Sequence, residues 1–135
     1  MIDIKRKEKK KWFNFEEDEA YLLKFMDEDN RQKFLKIYGN YETMVNLKEP
    51  NAKEKKKELI EKIEATIKEF QLLVLGYILD WKGVFADNQP LECTLENKKL
   101  VFTTVDWWAM ERFNFVSRVI TNPNEFFNFE VMKKN

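Results

Sequence analysis

One apolar stripe constrains this chain more than any other feature. Ile60, Ile63, Ile67, Phe70, Val74, Tyr77 and Trp81 follow one another in steps of three and four. That spacing lines up one face of a helix. The first half of the segment, "KEKKKELIEKIEATIKEF", is charged everywhere off the stripe, and the second, "FQLLVLGYILDW", is apolar on nearly every side. A helix patterned this way starts in solvent and ends in a protein interior or against another subunit. The spacing predicts one long core helix running into Trp81. Coiled-coil assembly into a homo-oligomer is the alternative, but the register covers only about three heptads, which favours an ordinary core helix.

The rest of the composition fits a helical chain with large side chains. There are 12 Phe, 4 Trp and 4 Tyr against only three Gly and three Pro in 135 residues. That balance argues against disorder and against a loop-rich all-β fold, and the length suits one domain. The expected fold class is mainly α with a short N-terminal β-hairpin, a small α+β helical domain. Residues 1–11 read as a charged, flexible lead-in. Residues 12–122 read as a single, mostly helical domain, with the hairpin at 12–26. Residues 123–135 read as a C-terminal aromatic tail.

The hairpin comes from "KWFNF" and "AYLLKFM", two apolar-aromatic runs on either side of "EEDE", with Tyr21, Leu23 and Phe25 on one face. Asp27 is placed to cap a helix that opens with Glu28 and Asp29 and carries Phe34, Leu35, Ile37, Tyr38 and Tyr41. Gly39 either ends that helix or weakens it, and Pro50 suits the first turn of the next. After Trp81, Gly83 and "ADNQP" supply turn chemistry. Thr94 suits the cap of a helix reaching about Thr103, and Asp106 the cap of another with Ala109, Phe113, Val116 and Ile120 inward. Asn122-Pro123 stops it. The tail "NEFFNFEVMKKN" supports a strand, a short helix or an apolar docking segment.

Several function classes lose their usual residues. The chain has no histidine, so the commonest general base and metal ligand is missing. The three glycines stand apart and make no phosphate loop. Cys93 is the single cysteine; it has no partner for a disulfide and no His or Asn arrangement to activate it. Its place beside the Thr94 helix start would lower a thiol pKa, but the bland reading is a half-buried small side chain. The acids at 16–19 and 27–29 lack calcium-loop spacing and read as turn and cap residues. The expectation is a non-enzymatic protein without cofactor or metal. Net charge is zero, with 24 basic and 24 acidic residues. Only "KRKEKKKWF" at 5–13 combines cations with aromatics in the manner of a nucleic-acid binder. The apolar run Leu72–Leu75 is too short to span a bilayer, and the N-terminal stretch lacks a signal-peptide core. A soluble chain in a reducing cytoplasm is expected.

Surface then remains as the carrier of function. Trp81, Phe85, Trp107, Trp108, Phe126, Phe127 and Phe129 are many large rings for one small core. Surplus apolar area marks a partner site, and aromatic residues anchor such sites.

The segment "YILDWKGVFADNQPLECTLENKKLVF" resembles part of the tail assembly chaperones of long-tailed bacteriophages and prophages. The matching residues are Trp81, Gly83, Val84, Asp87, Pro90, Leu91, Thr94, Glu96 and Asn97. The hairpin "WFNFEEDEAYLLKFM" before a helix also looks like the start of such proteins, whereas 42–75 shows no likeness. The resemblance implies a protein of the bacterial host cytoplasm that binds an apolar, helical tape measure protein and helps to recruit tail tube protein. Trp107, Trp108, Phe126, Phe127 and Phe129 are the expected partner-binding residues. Trp81, Gly83, Pro90 and Thr94 are the expected structural hinge. Two alternatives stand beside it: a structural particle component, such as a tail or head-completion subunit, and a small nucleic-acid-binding regulator.

Overall fold

The computed structural model describes residues 2–6, 9–45 and 52–131. In chain order the elements are β1 (Ile2–Arg6), β2 (Lys10–Glu16), β3 (Glu19–Lys24), α1 (Glu28–Val45), α2 (Ala52–Leu75) and β4 (Ile78–Lys82). Then come β5 (Phe85–Ala86), β6 (Gln89–Pro90), α3 (Leu95–Phe102), α4 (Trp107–Ile120), α5 (Pro123–Phe126) and β7 (Phe127–Val131). Pro50 lies outside the described residues.

The expected fold class needs correcting. Strands are not confined to an N-terminal hairpin. They form two antiparallel sheets, ordered β2-β3-β4 and β1-β7, with β5-β6 as a further two-residue ladder. The molecule is a small α+β protein with five helices among the described residues. Residues 2–6, expected in the lead-in, pair with the C-terminal tail, Ile4 standing opposite Phe129 and Arg6 opposite Phe127. The tail itself is first a helical turn, α5, and then strand β7.

The long stripe is divided between three kinds of structure. α2 ends at Leu75, Tyr77 sits in a turn closed by its N–H on the Val74 carbonyl, and Trp81 belongs to β4. The reason is a β-bulge. Leu23 pairs with Ile78 but Leu22 pairs with Asp80, so Leu79 is an extra residue in β4. The bulge puts the buried positions at Ile78 and Trp81, three apart, where an unbroken strand would bury every second residue. A strand so interrupted keeps the spacing of a helix face.

The chain divides into two compact units. The first runs up to Met26 and resumes at Val74; the second is Asp27–Leu73. The second is a pair of helices. Asp27 caps α1 by accepting the Asn30 N–H at 3.0 Å, and α1 runs through Gly39 to Val45. Phe34 of α1 meets Phe70 of α2 with ring centroids 4.7 Å apart.

In the first unit the core lies between the three-stranded sheet and the C-terminal helices. Tyr21, Phe102 and Trp81 form an aromatic cluster, with Tyr21 edge-on to Phe102 at 5.2 Å. Phe13 and Phe126 form a second edge contact at 5.1 Å. Thr94 caps α3 by accepting the Asn97 N–H. Lys98 donates to the Leu75 carbonyl, placing a cation at the negative end of α2.

The 80–94 connection owes its shape to two local demands. Asp87 and Asn88 both have positive φ, 50° and 64°, the conformation of a tight primed turn between paired strands. Gly83 has φ of 77°, and a Cβ there would lie 1.8 Å from the Asp18 carbonyl oxygen. The glycine therefore answers both a backbone conformation and a close approach to the β2–β3 turn. Gly83→Ala is expected to cost at least about 3 kcal/mol, because both backbones must shift. Urea unfolding at neutral pH measures this, and an alanine variant as stable as the native chain would refute the packing.

Candidate protein-interaction surface

The site is best built from helix α4. Its inward face carries Ala109, Val116 and Ile120, all fully buried. Trp107 lies two residues before Ala109, nearly halfway round the helix, and therefore faces solvent. Four apolar residues crowd the corner where α3 hands over to α4. Val105 is 93 % exposed, Trp107 71 %, Met110 55 % and Trp108 37 %. Leu95 and Leu100 on α3 and Phe85 on β5 are exposed too. Large apolar side chains grouped in water at this density are unusual on a small protein.

The helix start at this corner has little capping of its own. Asp106 holds the N-cap position, as its sequence context predicts, but makes no side-chain cap bond. Its carboxylate instead faces the Thr104 hydroxyl, 3.5 Å away. Support comes from the sheet. Arg112 donates from Nε to Glu19 Oε2 at 2.7 Å and from Nη2 to Glu19 Oε1 at 2.8 Å, a two-pronged ion pair. Its Nη1 donates to the Trp108 carbonyl at 3.1 Å. The guanidinium also lies over the Phe15 ring, 4.7 Å from its centroid. Tyr21 donates its hydroxyl to Glu19 as well.

Each partner leaves an electrostatic mark. Burial pushes the Tyr21 phenol well above its ordinary value, and its hydrogen bond to the Glu19 carboxylate adds to the rise. The hydrogen bond to Glu19 likewise holds the Arg112 guanidinium firmly protonated, against the opposing effect of burial. Glu19 thus departs from the surface role its acidic run suggests: it is 8 % exposed and paired. Cys93 departs as well. Burial raises its thiol pKa, the nearby Lys98 opposing, so the helix start does not activate it.

The structure separates the residues singled out by sequence. Trp107 and Trp108 stand at the exposed corner. Phe126 does not: it is fully buried between Phe13 and Phe25. Phe127 is half-buried, edge-on to Phe25 at 5.2 Å. Phe129 lies in β7 opposite Ile4, and its side chain falls outside the described residues. Of the hinge residues, Trp81 anchors the connection by donating its indole N–H to the Leu91 carbonyl at 2.7 Å. Pro90 pairs with Phe85 in the β5–β6 ladder, and Thr94 caps α3. Sequence reasoning missed Val105, a single apolar residue between Thr104 and Asp106, and Met110, which closes the run Trp107-Trp108-Ala109 and is overshadowed by its rings, and the Glu19–Arg112 pair, whose members lie far apart in the chain.

Each unit also carries a concave surface among its described residues. A groove of about 400 Å³ between α1 and α2 is lined by Lys33, Lys36, Ile37, Thr66, Phe70 and Leu73, among others. A depression of about 390 Å³ lies between Phe15 and the Glu111–Arg118 face of α4. Among the described residues no three metal-ligating side chains come together, and no helix is long and apolar enough to cross a membrane. The chain matches no family model, no curated protein and no solved structure.

Two outcomes test this geometry. Phe126→Ala is expected to cost about 3–5 kcal/mol in urea unfolding, the range for a buried aromatic; a negligible cost would return Phe126 to the surface. Tyr21 makes a pH prediction. Its folded pKa lies above its unfolded value, so its contribution is fully present below about pH 10 and is lost as pH rises beyond that. Tyr21→Phe is expected to be about 1 kcal/mol less stable at pH 8. Above pH 10 the difference narrows, by up to about 1.4 kcal/mol per unit. A constant difference from pH 8 to about pH 11 would count against the buried phenol–carboxylate bond.

Proposed function

We propose that this protein is an assembly chaperone that holds an apolar helical partner in solution, of the tail assembly chaperone type. The observation that carries this reading is the apolar corner of Val105, Trp107, Trp108 and Met110, exposed on a helix start that is tied to the sheet. An aromatic and methionine surface suits loose recognition, because flat rings and a flexible thioether adapt to successive turns of an apolar helix. The segment resembling the phage proteins, residues 78–100, supports the same reading, since it leads through α3 directly to that corner. On this reading the partner is the tape measure protein, held until tail tube protein displaces it, and the work is done in the cytoplasm of a bacterial host. No bond is made or broken.

Co-expression tests the proposal. The native chain is expected to keep a tape measure protein in a soluble complex. The double variant Trp107→Ser, Met110→Ser is expected to retain its helicity and lose that complex. A variant that still holds the partner would overturn the assignment of the corner. So would a tape measure protein that stays equally soluble and unbound without the chain.

A further inference from the structure

We propose that Arg112 is a positioning residue: through its bonds to Glu19 and to the Trp108 carbonyl it holds the first turn of α4, and with it Trp107 and Met110, in a binding-ready arrangement. The inference rests on the reading of the corner as a partner surface.

A helix start leaves four N–H groups without intrahelical partners and frays unless something holds it. α4 opens without a side-chain cap, and its first turn contains no acidic residue to answer the helix dipole. Two of its opening N–H groups, those of Ala109 and Met110, share the single Asp106 carbonyl, each at 3.1 Å. Such a start is a weak place to carry large exposed side chains. Arg112, one turn further on, cannot accept from those N–H groups, but it tethers the turn from its carbonyl side. Its guanidinium is fixed on three sides at once: the two Glu19 oxygens from β3, the Phe15 ring from β2 and the Trp108 carbonyl from α4 itself. A planar fork can satisfy all three; an ammonium cannot.

The buried pair is also an unexpected expense for a small core. Replacing a buried ion pair with well-packed apolar residues is often neutral or stabilising. Glu19 and Arg112 are 9 % and 17 % exposed at their side chains. A pair of that kind makes physical sense where it fixes one arrangement, here the orientation of the opening turn. A preordered turn spares the partner the cost of ordering it on binding.

The test uses the full chain with both charges removed together, Glu19→Met and Arg112→Met, so that neither is left buried alone. Arg112→Lys is the second variant, keeping the charge but not the fork. Circular dichroism and thermal melting establish that each is folded. Amide hydrogen exchange reads the first turn, and binding of a labelled 18-residue Leu/Ala-rich amphipathic helical peptide reads the surface. In the double variant, exchange at Ala109 and Met110 is expected to rise about tenfold, the scale of one charge-assisted hydrogen bond, with Val116–Ile120 unchanged. Peptide affinity falls by a similar factor, and Arg112→Lys lies between. Unchanged exchange in the first turn of both variants would overturn the proposal, as would a uniform rise along all of α4. If the peptide ignores the native chain, the partner reading fails, and the exchange measurement still decides whether Arg112 holds the turn.

Discussion

The structure is registered on β3. This strand is hydrogen-bonded on both sides, to β2 and to β4, and its alternate residues Glu19, Tyr21 and Leu23 point to one buried face. Each does a different job there. Leu23 is fully buried in the apolar core, Tyr21 joins the aromatic cluster with Trp81 and Phe102, and Glu19 receives Arg112 from α4. A slip of one residue in this pairing would turn all three outward. The turn before β3 is in addition the surface on which Gly83 closes, so the same strand fixes where the 80–94 connection must pass.

That arrangement explains how a small protein can leave so much apolar area in water. Its own core is furnished by rings packed edge to face within the first unit, and Phe126 is spent there. The corner at 105–110 is not needed for that packing, since the inward face of α4 is already filled by Ala109, Val116 and Ile120. What the corner does need is a firm base, because its helix start has no side-chain cap bond. Arg112 supplies it: its pair with Glu19 ties α4 to the sheet, and its bond to the Trp108 carbonyl ties the opening turn to that anchor. Fold and proposed function therefore meet in one side chain.

Local chemistry made part of this visible in the sequence. Asp27 and Thr94 cap where short polar side chains before apolar runs should cap, and Asn122-Pro123 ends α4 as expected. The hairpin of β2 and β3 follows from two apolar runs about an acidic turn. Long-range pairing is where the reading failed. β1 and β7 each alternate in sequence, Ile-Asp-Ile and Phe-Asn-Phe-Glu-Val, but nothing local says that the two ends of the chain meet. The bulge at Leu79 gave a strand the spacing of a helix. Glu19 sits in a run of acids and looks like surface until Arg112 is brought to it. Trp107 and Trp108, singled out by bulk alone, stand exposed, whereas Phe126, equally bulky, is core: ring size does not reveal which side of a helix faces in.

The central claim is that the 105–110 corner is where a partner sits. Its most direct measurement is a hydrogen-exchange footprint of the chain alone and in complex with a tape measure protein. The account predicts slowed exchange over residues 105–111, with the buried turn at Phe126 unaffected. Protection confined to α1, α2 or the β1–β7 pair, with 105–111 unchanged, would contradict it.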